Sequence, residues 1–519
     1  MHFNFDTLTI RHEPGSPGRV SWGDRERGYL ELFPARPCAG AGYRRGELTR
    51  LRDAFAVRAG NIRDRSREAS RALPGEFRAD GIGLALLLER AAAWVGLDER
   101  RLEKPSGKAD GLALVLPRCR SPWVSVRIDG VQAWARGADR DGAEAVAVAS
   151  STAFKPGRAR MHGGLRAPAG ERVEAFYPEP GFSSADFYLA WGKSAQEAAE
   201  KAAALAKEEA IQAHRAAVAD FFSGASLSSA DAAFDKAAAW AAFSGWSLVA
   251  REEGLGIWAG LPWFRDNWGR DTFIALPGIL LASGRFGEAR EVLAAFAERQ
   301  DRDPASPSYG RVPNRWRGPD DVIYNTADGT PLFIRGLWHY LQYTGDEAFA
   351  RELAATAFLA LDADLARRDE EGFLPHGEAD SWMDARIEGK EAWSARGDCA
   401  VEVQSYFYEA LLAGSRLAAL SGDESRRAAY DEAATRLKAS FKARFWHAEE
   451  RRLADRLRPD GQADLRARPN AFLALGAGSD SGRPLLEPEL EAAIVADLVP
   501  ELVYPYGVAS LSQEDPLFH

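Results

Sequence analysis

Residues 254–271 read GLGIWAGLPWFRDNWGRD, and TFIALPG continues the chain at 272–278. Several glycines and a proline interrupt any helical pattern in the first stretch, which predicts a shaped loop. An apolar run with helical spacing then begins, and it predicts a helix over Asp271–Ala282. The loop therefore delivers an arginine, Arg270, and a carboxylate to the start of a helix.

The helical pattern covers the C-terminal half of the chain, where each segment carries an apolar stripe at a spacing of 3.6 residues. Long loops separate several segments, and loops beyond about 12–15 residues are usually functional or disordered. Their tryptophan content favours ordered, functional loops. The predicted helices are Ala230–Arg251, Asp271–Ala282, Phe286–Arg299, Thr330–Tyr343, Glu347–Arg367, Ala400–Leu420, Glu424–Trp446 and Glu487–Leu498.

The N-terminal part, residues 1–190, has a strand pattern. Short apolar or alternating runs are separated by Gly, Pro and Asp, as in an antiparallel sheet. The stretch Arg36–Arg78 is rich in arginine, and we expect surface loops and a short helix there. The clearest predicted strands are Ala113–Leu116, Trp123–Ile128, Ala145–Val148 and Arg172–Tyr177.

A helical linker is predicted between the two parts, over residues 191–225. Ser194 and Glu197 have the spacing of a capping box, in which both side chains bond amides at the helix start. The domain boundaries that follow are 1–190 for a β-rich domain, 191–225 for the linker and 226–519 for a helical domain.

Composition bounds the class of protein. The chain has 519 residues, 46% hydrophobic and 27% charged, which is typical of a globular protein. No apolar run approaches the roughly 20 residues that span a membrane. The net charge of −10 argues against a nucleic-acid or anionic-membrane partner. Three separated cysteines and no recognisable signal peptide indicate a reducing cytoplasm.

Tryptophan is concentrated in the long loops. Seven of the fifteen tryptophans lie between residues 258 and 393. Indole rings stack on the flat C–H faces of sugars, so aromatic loops around carboxylates suit a glycan site. The alternative is that these rings fill a large helical core. The candidate sugar-binding rings are Trp263, Trp268 and Trp382.

Two polar groups in these loops have an alternative structural explanation. Arg270 and Asp271 can grip neighbouring sugar hydroxyls as a donor fork and an acceptor, or Asp271 can simply favour a helix start. Asn325 and Asp328 can line the floor of a site, or form a turn and a cap before the next helix.

The segment Asp380–Arg386, DSWMDAR, supplies a candidate general acid. Tryptophan and methionine flank Asp384, and desolvation would raise its pKa as a general acid requires. Arg386 is a further candidate for substrate binding, or it pairs with Asp384 in an ordinary loop. Glu402 follows at a helix start, where it can bind a sugar hydroxyl or serve the helix dipole.

Metal and nucleotide chemistry receive no support from motifs. The eight histidines form no HExxH pattern, and there is no EF-hand loop or Cys/His cluster. Neither GxGxxG after a strand nor GxxxxGK[ST] occurs, and a GxSxG elbow is also missing. We therefore expect no metal and no cofactor.

Several motifs occur in order over about residues 230–519, namely AGLPWFRDNWGRDTFIALPG, RVPNRW, YNTADGTPLF, SWMDAR and AVEVQSYFYEAL. Together they closely resemble the glucosidase domain of the glycogen-debranching amylo-α-1,6-glucosidase family. The resemblance implies an (α/α)6 helical barrel preceded by an antiparallel β-sandwich. It implies an α-glucan partner, glycogen or limit dextrin, and release of glucose from α-1,6 branch points.

The resemblance also implies an inverting mechanism with two carboxylates. In related helical-barrel glycosidases an Arg-Asp pair holds the terminal glucose, which here matches Arg270 and Asp271, and the acid matches Asp384. Family members continue beyond the motif at residues 513–516, so the barrel is expected to be incomplete, with its general base beyond His519. Glu402, Glu514 and Asp515 remain as other carboxylates.

Two other functions stay open on the sequence. One is another activity of helical-barrel enzymes: glucoamylase-like α-1,4-hydrolysis, trehalose cleavage or phosphorolysis. The other is a non-catalytic protein that binds glycan.

Overall fold

The structure is a computed structural model that describes residues 8–12, 20–26, 29–32, 49–52, 55–59, 70–79, 82–97, 111–138, 144–157, 171–224, 228–251, 254–261 and 263–518. The chain divides into two compact units. The first comprises residues 1–252 with 260–265, and the second comprises residues 253–259 with 266–519.

The first unit is rich in strands. They are β1 (Ile10–His12), β2 (Val20–Gly23), β3 (Tyr29–Leu32), β4 (Thr49–Arg52), β5 (Phe55–Ala59), β6 (Ser70–Leu73), β7 (Glu76–Ala79), β8 (Ile82–Leu87), β9 (Ala92–Leu97), β10 (Leu112–Pro117), β11 (Val124–Ile128), β12 (Val131–Arg136), β13 (Ala145–Ser150), β14 (Phe154–Gly157), β15 (Glu171–Pro178), β16 (Ala185–Gly192) and β17 (Val249–Ala250).

Sixteen of these strands form two antiparallel sheets within the described residues. The orders are β1-β6-β7-β8-β9-β16-β13-β12-β11 and β14-β15-β10-β5-β4-β3-β2. In the first sheet, Val148 of β13 lies opposite Leu189 of β16. One buried cluster contains side chains from both sheets, among them Val148, Leu114 and Phe176. The two sheets therefore share one hydrophobic core.

The four predicted strands are confirmed as β10, β11, β13 and β15. The expectation for Arg36–Arg78 is wrong wherever the structure describes it, because β4 to β7 lie there. Residues 36–48, 53–54 and 60–69 of that stretch lie outside the described residues. In β4, TRLR, arginine alternates with Thr and Leu, and β6, SRAL, contains a further arginine. That alternation has the period of a strand. The high arginine content nevertheless led to the prediction of surface loops.

The described part of the first unit also contains the helices α1 (Ala195–Lys207), α2 (Ala210–Gly224) and α3 (Ala232–Trp246). Ser194 Oγ accepts from the amide of Glu197 at 3.1 Å, as the capping spacing predicts. The Glu197 carboxylate bonds the amide of Lys193, one residue before the expected one. Phe243 and Trp246 of α3 pack into the core that the sheets share.

The second unit is mainly helical. Its helices are α4 (Gly269–Leu276), α5 (Phe286–Glu298), α6 (Gly329–Thr344), α7 (Glu347–Arg367), α8 (Val401–Ser421), α9 (Glu424–Phe445) and α10 (Pro488–Leu502), with a π turn at Pro277–Leu281 and 3-10 turns at Pro469–Ala474 and Ser479–Ser481. The remaining strands are β18 (Gly256–Gly260), β19 (Phe264–Trp268), β20 (Arg315–Trp316), β21 (Val322–Ile323), β22 (Arg386–Ile387), β23 (Glu391–Ala392), β24 (Cys399–Ala400), β25 (Trp446–His447), β26 (Arg452–Leu453), β27 (Arg456–Leu457), β28 (Ala463–Asp464), β29 (Val503–Tyr504) and β30 (Gly507–Val508).

All eight predicted helices are confirmed, with ends that differ by a few residues. The second predicted helix changes character within its span. Its α-helical part ends at Leu276, and a π turn begins at Pro277. Proline has no amide to donate into an α-helical bond, which explains the change at that residue.

Several helices of the second unit pack against one another. Within the second unit α6 packs against α4 and α8, and α8 also packs against α7 and α9. Phe273 of α4 lies 4.6 Å from Phe296 and 5.4 Å from Phe333, measured between ring centroids. These edge and tilted contacts fix α4 beside α5 and α6. In the described part of the chain, no helix has both the length and the apolarity to cross a membrane.

Candidate active site

Arg270 is the centre of the site. It is the second residue of α4, and its buried guanidinium reaches three acceptors from two other segments. Nε donates to Asp328 Oδ2 at 2.6 Å, Nη1 to Asp384 Oδ2 at 2.8 Å and Nη2 to the Ser381 carbonyl at 2.8 Å. The fork of Arg270 thus joins α4 to the start of α6 and to the Asp380–Arg386 segment.

Charge explains the stability of this arrangement. Burial opposes the charge of Arg270, but Asp328 and Asp384 more than compensate and raise the pKa of the guanidinium above its usual range. Burial raises the pKa of the Asp328 carboxyl, against the opposing effect of Arg270. Asp328 is the N-cap residue of α6, yet its side chain forms no capping bond. Its bond to Arg270 replaces the capping role that the sequence left open.

Asp271 lies in the first turn of α4, next to Arg270. Its side chain is open to solvent, while the surrounding protein removes enough water to raise its pKa. Arg270 opposes that rise, and the negative charge of Asp384 adds to it. Asp271 follows Arg270 in the chain and Arg270 binds Asp384, so the three residues lie in one region of the structure.

The backbone of α4 reaches this position because residue 269 is a glycine. The Gly269 amide donates to the Asn314 carbonyl at 2.6 Å. A Cβ atom added to Gly269 would lie 2.5 Å from the Pro313 carbonyl oxygen, which is closer than real Cβ contacts. Only glycine allows this crossing of the two loops.

A second buried arginine, Arg396, stabilises the Asp380–Arg386 segment. Arg396 Nη1 donates to Ser381 Oγ at 3.2 Å, and the same side chain binds Asp455 and Glu402. Arg396, Asp455 and Glu402 are each at most 3% exposed. Ser381 is therefore held on both sides, through its carbonyl by Arg270 and through its hydroxyl by Arg396.

This network also gives Glu402 a partner within the protein. The carboxylate is 0% exposed, and both of its oxygens accept from the Arg396 guanidinium. A sugar hydroxyl would have to displace a buried ion pair to reach it. The structure shows Glu402 in a supporting ion pair, and a contact between Glu402 and substrate stays a prediction.

The surroundings of Asp384 also differ from the sequence expectation. Its side chain is 37% exposed and its carboxylate pairs with Arg270, so it does not lie in the apolar setting predicted from Trp382 and Met383. Arg386 is not its partner. The Arg386 guanidinium donates to the Lys390 carbonyl within the β22–β23 hairpin, at 2.8 Å. Arg386 therefore stabilises the hairpin and does not pair with Asp384.

The predicted aromatic residues occupy different settings. Trp382 is 39% exposed, and its Nε1 donates to Asn470 Oδ1 at 2.8 Å, which fixes the ring two residues before Asp384 in the chain. Trp268 is half-buried, with the Arg315 guanidinium 5.8 Å from its ring centroid. Trp263 is 73% exposed and belongs to the first unit, so its place beside a sugar stays a prediction. Of the three predicted sugar-binding rings, Trp382 is exposed and lies in the same segment as Asp384.

Asn325 lies at the edge of this region. It is exposed, and its Oδ1 accepts from Asn314 Nδ2 at 2.9 Å. That bond links the Asn325 segment to the loop that crosses Gly269. A contact between Asn325 and substrate stays a prediction.

Sequence reasoning missed the residues that hold the site in shape. Asp455 and Asn470 are buried, and Asn470 Nδ2 donates to Asp455 Oδ1 at 2.6 Å. Neither residue stands in a recognisable motif, and Arg396 and Trp382, which bind Asp455 and Asn470 respectively, lie more than 50 residues away in the chain. Arg396 could be noted in the sequence as part of the RGD stretch, but the residues that it binds could not be predicted. Among the described residues, no group of three His, Cys, Asp or Glu side chains is placed to hold a metal ion.

Comparisons with known proteins fit this geometry. A solved structure of a bacterial glucoamylase complexed with acarbose matches 94% of this chain and 71% of its own, with a TM-score of 0.52 and 11% identity. At that identity the likeness concerns the fold. A glycogen debranching enzyme of Saccharomyces cerevisiae (strain ATCC 204508 / S288c) is 34% identical over 104 residues, 19% of this chain and 6% of the relative.

The fold is similar to that of the glucoamylase structure, and the sequence match assigns the chain to a glycoside hydrolase family. Residues 231–519, more than half of the chain, match the sequence model of the family described as amylo-alpha-1,6-glucosidase. The chain belongs to that family. The match contains every candidate residue of the site.

Proposed function

We propose that this protein releases glucose from α-1,6 branch points of an α-glucan such as glycogen or limit dextrin. The observation that carries the proposal is the bond between Arg270 and Asp384, with Asp271 beside them and an open carboxylate at Asp384. Family membership and the debranching enzyme among the relatives favour this substrate over others.

In this proposal Arg270 and Asp271 bind the terminal glucose. The planar guanidinium donates to neighbouring hydroxyls, and the Asp271 carboxylate accepts from them. A hydroxyl that accepts from Nη1 of Arg270 takes the place of Asp384 Oδ2. Substrate binding would then release Asp384 from its ion pair, which leaves its carboxyl group free to take up and carry the proton that a general acid delivers.

Asp384 is proposed as the general acid of an inverting reaction. It protonates the glycosidic oxygen, while a second carboxylate deprotonates the attacking water. The two carboxyl groups of an inverting pair stand roughly 6.5–9.5 Å apart, which leaves room for that water. Glu402 and Asp455 do not qualify as the base, because both are buried in the ion pair with Arg396.

The proposal extends to the architecture. We propose that the helical unit belongs to an (α/α)6 barrel, in which α4, α6 and α8 are inner helices whose first turns face the site. The two sheets that share one core would form the β-sandwich that precedes it. Boundaries at 1–190, 191–225 and 226–519 remain part of this proposal.

Glucose release from defined substrates tests the function. The protein is incubated with isomaltosyl, maltosyl and trehalose substrates, with and without phosphate, and with branched limit dextrin. We expect free glucose from the α-1,6 linkages, with the β-anomer appearing first by proton NMR. The variant Asp384→Asn should lower kcat by about 10²–10⁴-fold. The matched control is Glu450→Gln, in an exposed turn.

Each alternative has its own outcome. Faster cleavage of maltosyl or trehalose substrates, or a dependence on phosphate, would replace the proposed linkage with another helical-barrel activity. Retention on glycogen without turnover of any substrate would indicate a glycan-binding protein. Full activity of Asp384→Asn would remove Asp384 from the role of acid.

A further inference from the structure

A short hairpin begins directly after Asp384. Strand β22 pairs with β23, with Arg386 opposite Ala392 and Ile387 opposite Glu391. The amide of Trp393 donates to the Ala385 carbonyl at 2.8 Å and continues the pairing by one position. The Cα atoms of residues paired in this way are about 5 Å apart. Trp393 is therefore held next to the residue that follows the candidate acid.

The hairpin is fixed by its own bonds. Its turn residues, Glu388 and Gly389, both have positive φ, at 50° and 73°, as in the tight turns that match strand twist. The Lys390 amide donates to the Ile387 carbonyl at 2.9 Å, and Arg386 donates to the Lys390 carbonyl. A ring carried on such a hairpin loses little freedom when it binds a ligand.

Trp393 presents a large apolar surface at this point. Its relative exposure is 67%, and Ile387 on the same hairpin is 44% exposed. Trp382, on the other side of Asp384 in the chain, is 39% exposed. The candidate acid thus has an open indole on each side of it in the sequence. A flat apolar ring with polar groups around it suits a sugar, whose C–H face stacks while its hydroxyls bond outward.

The charge of the hairpin favours a neutral ligand. Two cationic side chains, Arg386 and Lys390, are balanced by two carboxylates, Glu388 and Glu391, and all four residues are exposed. A phosphorylated or nucleic-acid ligand would find no excess positive charge here. Donors and acceptors of both kinds are available for hydroxyl groups.

We propose that Trp393 forms a second sugar subsite, which binds the glucan on the leaving-group side of the bond that Asp384 protonates. This inference rests on the proposed function. In it, Arg270 and Asp271 take the terminal glucose, and the hairpin takes the main chain that carries the branch. Trp393 then sets a preference for branched glucans over short substrates.

Binding measurements separate this subsite from the glucose site. The Asp384→Asn protein, which is expected to consume substrate far more slowly, is titrated with glucose and with branched limit dextrin by calorimetry. Adding Trp393→Ala should weaken dextrin binding by about five- to tenfold, the scale of one lost aromatic contact. The affinity for glucose should change far less, so the ratio of dextrin affinity to glucose affinity falls. Trp393→Phe should recover part of the dextrin affinity.

The matched control is Tyr343→Ala, another exposed aromatic of the same unit. Tyr343 lies near the end of α6, about 20 Å along the helix axis from Asp328. If Trp393→Ala leaves the ratio unchanged, or weakens both ligands equally, the subsite is wrong while the proposed function stands. If the Asp384→Asn protein binds neither glucose nor dextrin, the proposed function itself is overturned.

Discussion

Arg270 Nη1 lies 2.8 Å from Asp384 Oδ2, although 114 residues separate the two in the sequence. The same guanidinium binds Asp328, so one side chain ties three chain segments together. Such a buried fork needs the geometry of arginine, because lysine is a single point donor. Arg270 is therefore the side chain that holds the candidate site together.

Replacing Arg270 with lysine should therefore weaken glucose binding. The variant keeps the charge and loses the bonds that the fork makes at the same time. Each lost hydrogen bond to a charged group is worth about 1.5–3 kcal/mol, so we expect a loss of affinity of about 10- to 100-fold. Titration calorimetry with glucose gives the value. Arg290→Lys, on the exposed face of α5, is the control and should bind as the wild type does.

Glucose binding should depend on pH through Asp271. Burial raises its pKa, and the charge of Asp384 adds to that rise. Only the ionised carboxyl accepts hydrogen bonds from two hydroxyls, so affinity is lost as pH falls through this raised pKa. The loss should begin above the pH at which an ordinary aspartate, with a pKa of about 3.9, is protonated. In Asp271→Asn the affinity should be low and flat over the same range; an unchanged pH profile in that variant would contradict the role of Asp271.

The buried ion pair predicts a loss of stability in Glu402→Gln. Removing one partner leaves the charge of Arg396 less compensated at 1% exposure. The free energy of unfolding, measured in denaturant, should fall by about 3 kcal/mol. The control is Glu352→Gln, which removes an exposed partner of Arg290 and should have little effect. Normal stability together with lost glucose binding would show that Glu402 contacts the sugar after all.

Two glycines near the site should respond differently to alanine. At Gly269 the new Cβ meets the Pro313 carbonyl oxygen at 2.5 Å, while at Gly278 nothing lies within 4 Å. Gly269→Ala should lower the free energy of unfolding by about 1–3 kcal/mol, as overpacking does, and should also weaken glucose binding. Gly278→Ala should do neither. Equal behaviour of the two variants would show that the loop crossing at Gly269 does not position Arg270.

The helices of the second unit could be predicted from the sequence because each carries its own apolar stripe and its own end signals. Strands β4 to β7 could not, because arginine hides the alternation that defines a strand. At the site, the residues inside compact motifs, such as Arg270 and Asp384, were recognisable. Their surroundings were not, since the exposure of Asp384 and the burial of Glu402 depend on which distant segment packs against each.

The residues that hold Trp382 and Ser381 in place could not be predicted from the sequence either. Trp382 depends on Asn470, and Ser381 depends on Arg396, through single bonds across the fold. A linear pattern holds no information on such pairs, because any polar residue at the right place in space would serve. The hairpin that carries Trp393 was likewise hidden, since its strands have only two residues each.

A crystal of this protein soaked with glucose tests the central claim most directly. The account predicts one glucose with hydroxyl oxygens within about 3 Å of the Arg270 guanidinium and the Asp271 carboxylate, with its C1 atom turned toward Asp384. Glucose bound at a different place, with Arg270 still closed on Asp384 and no sugar near Asp271, would contradict it.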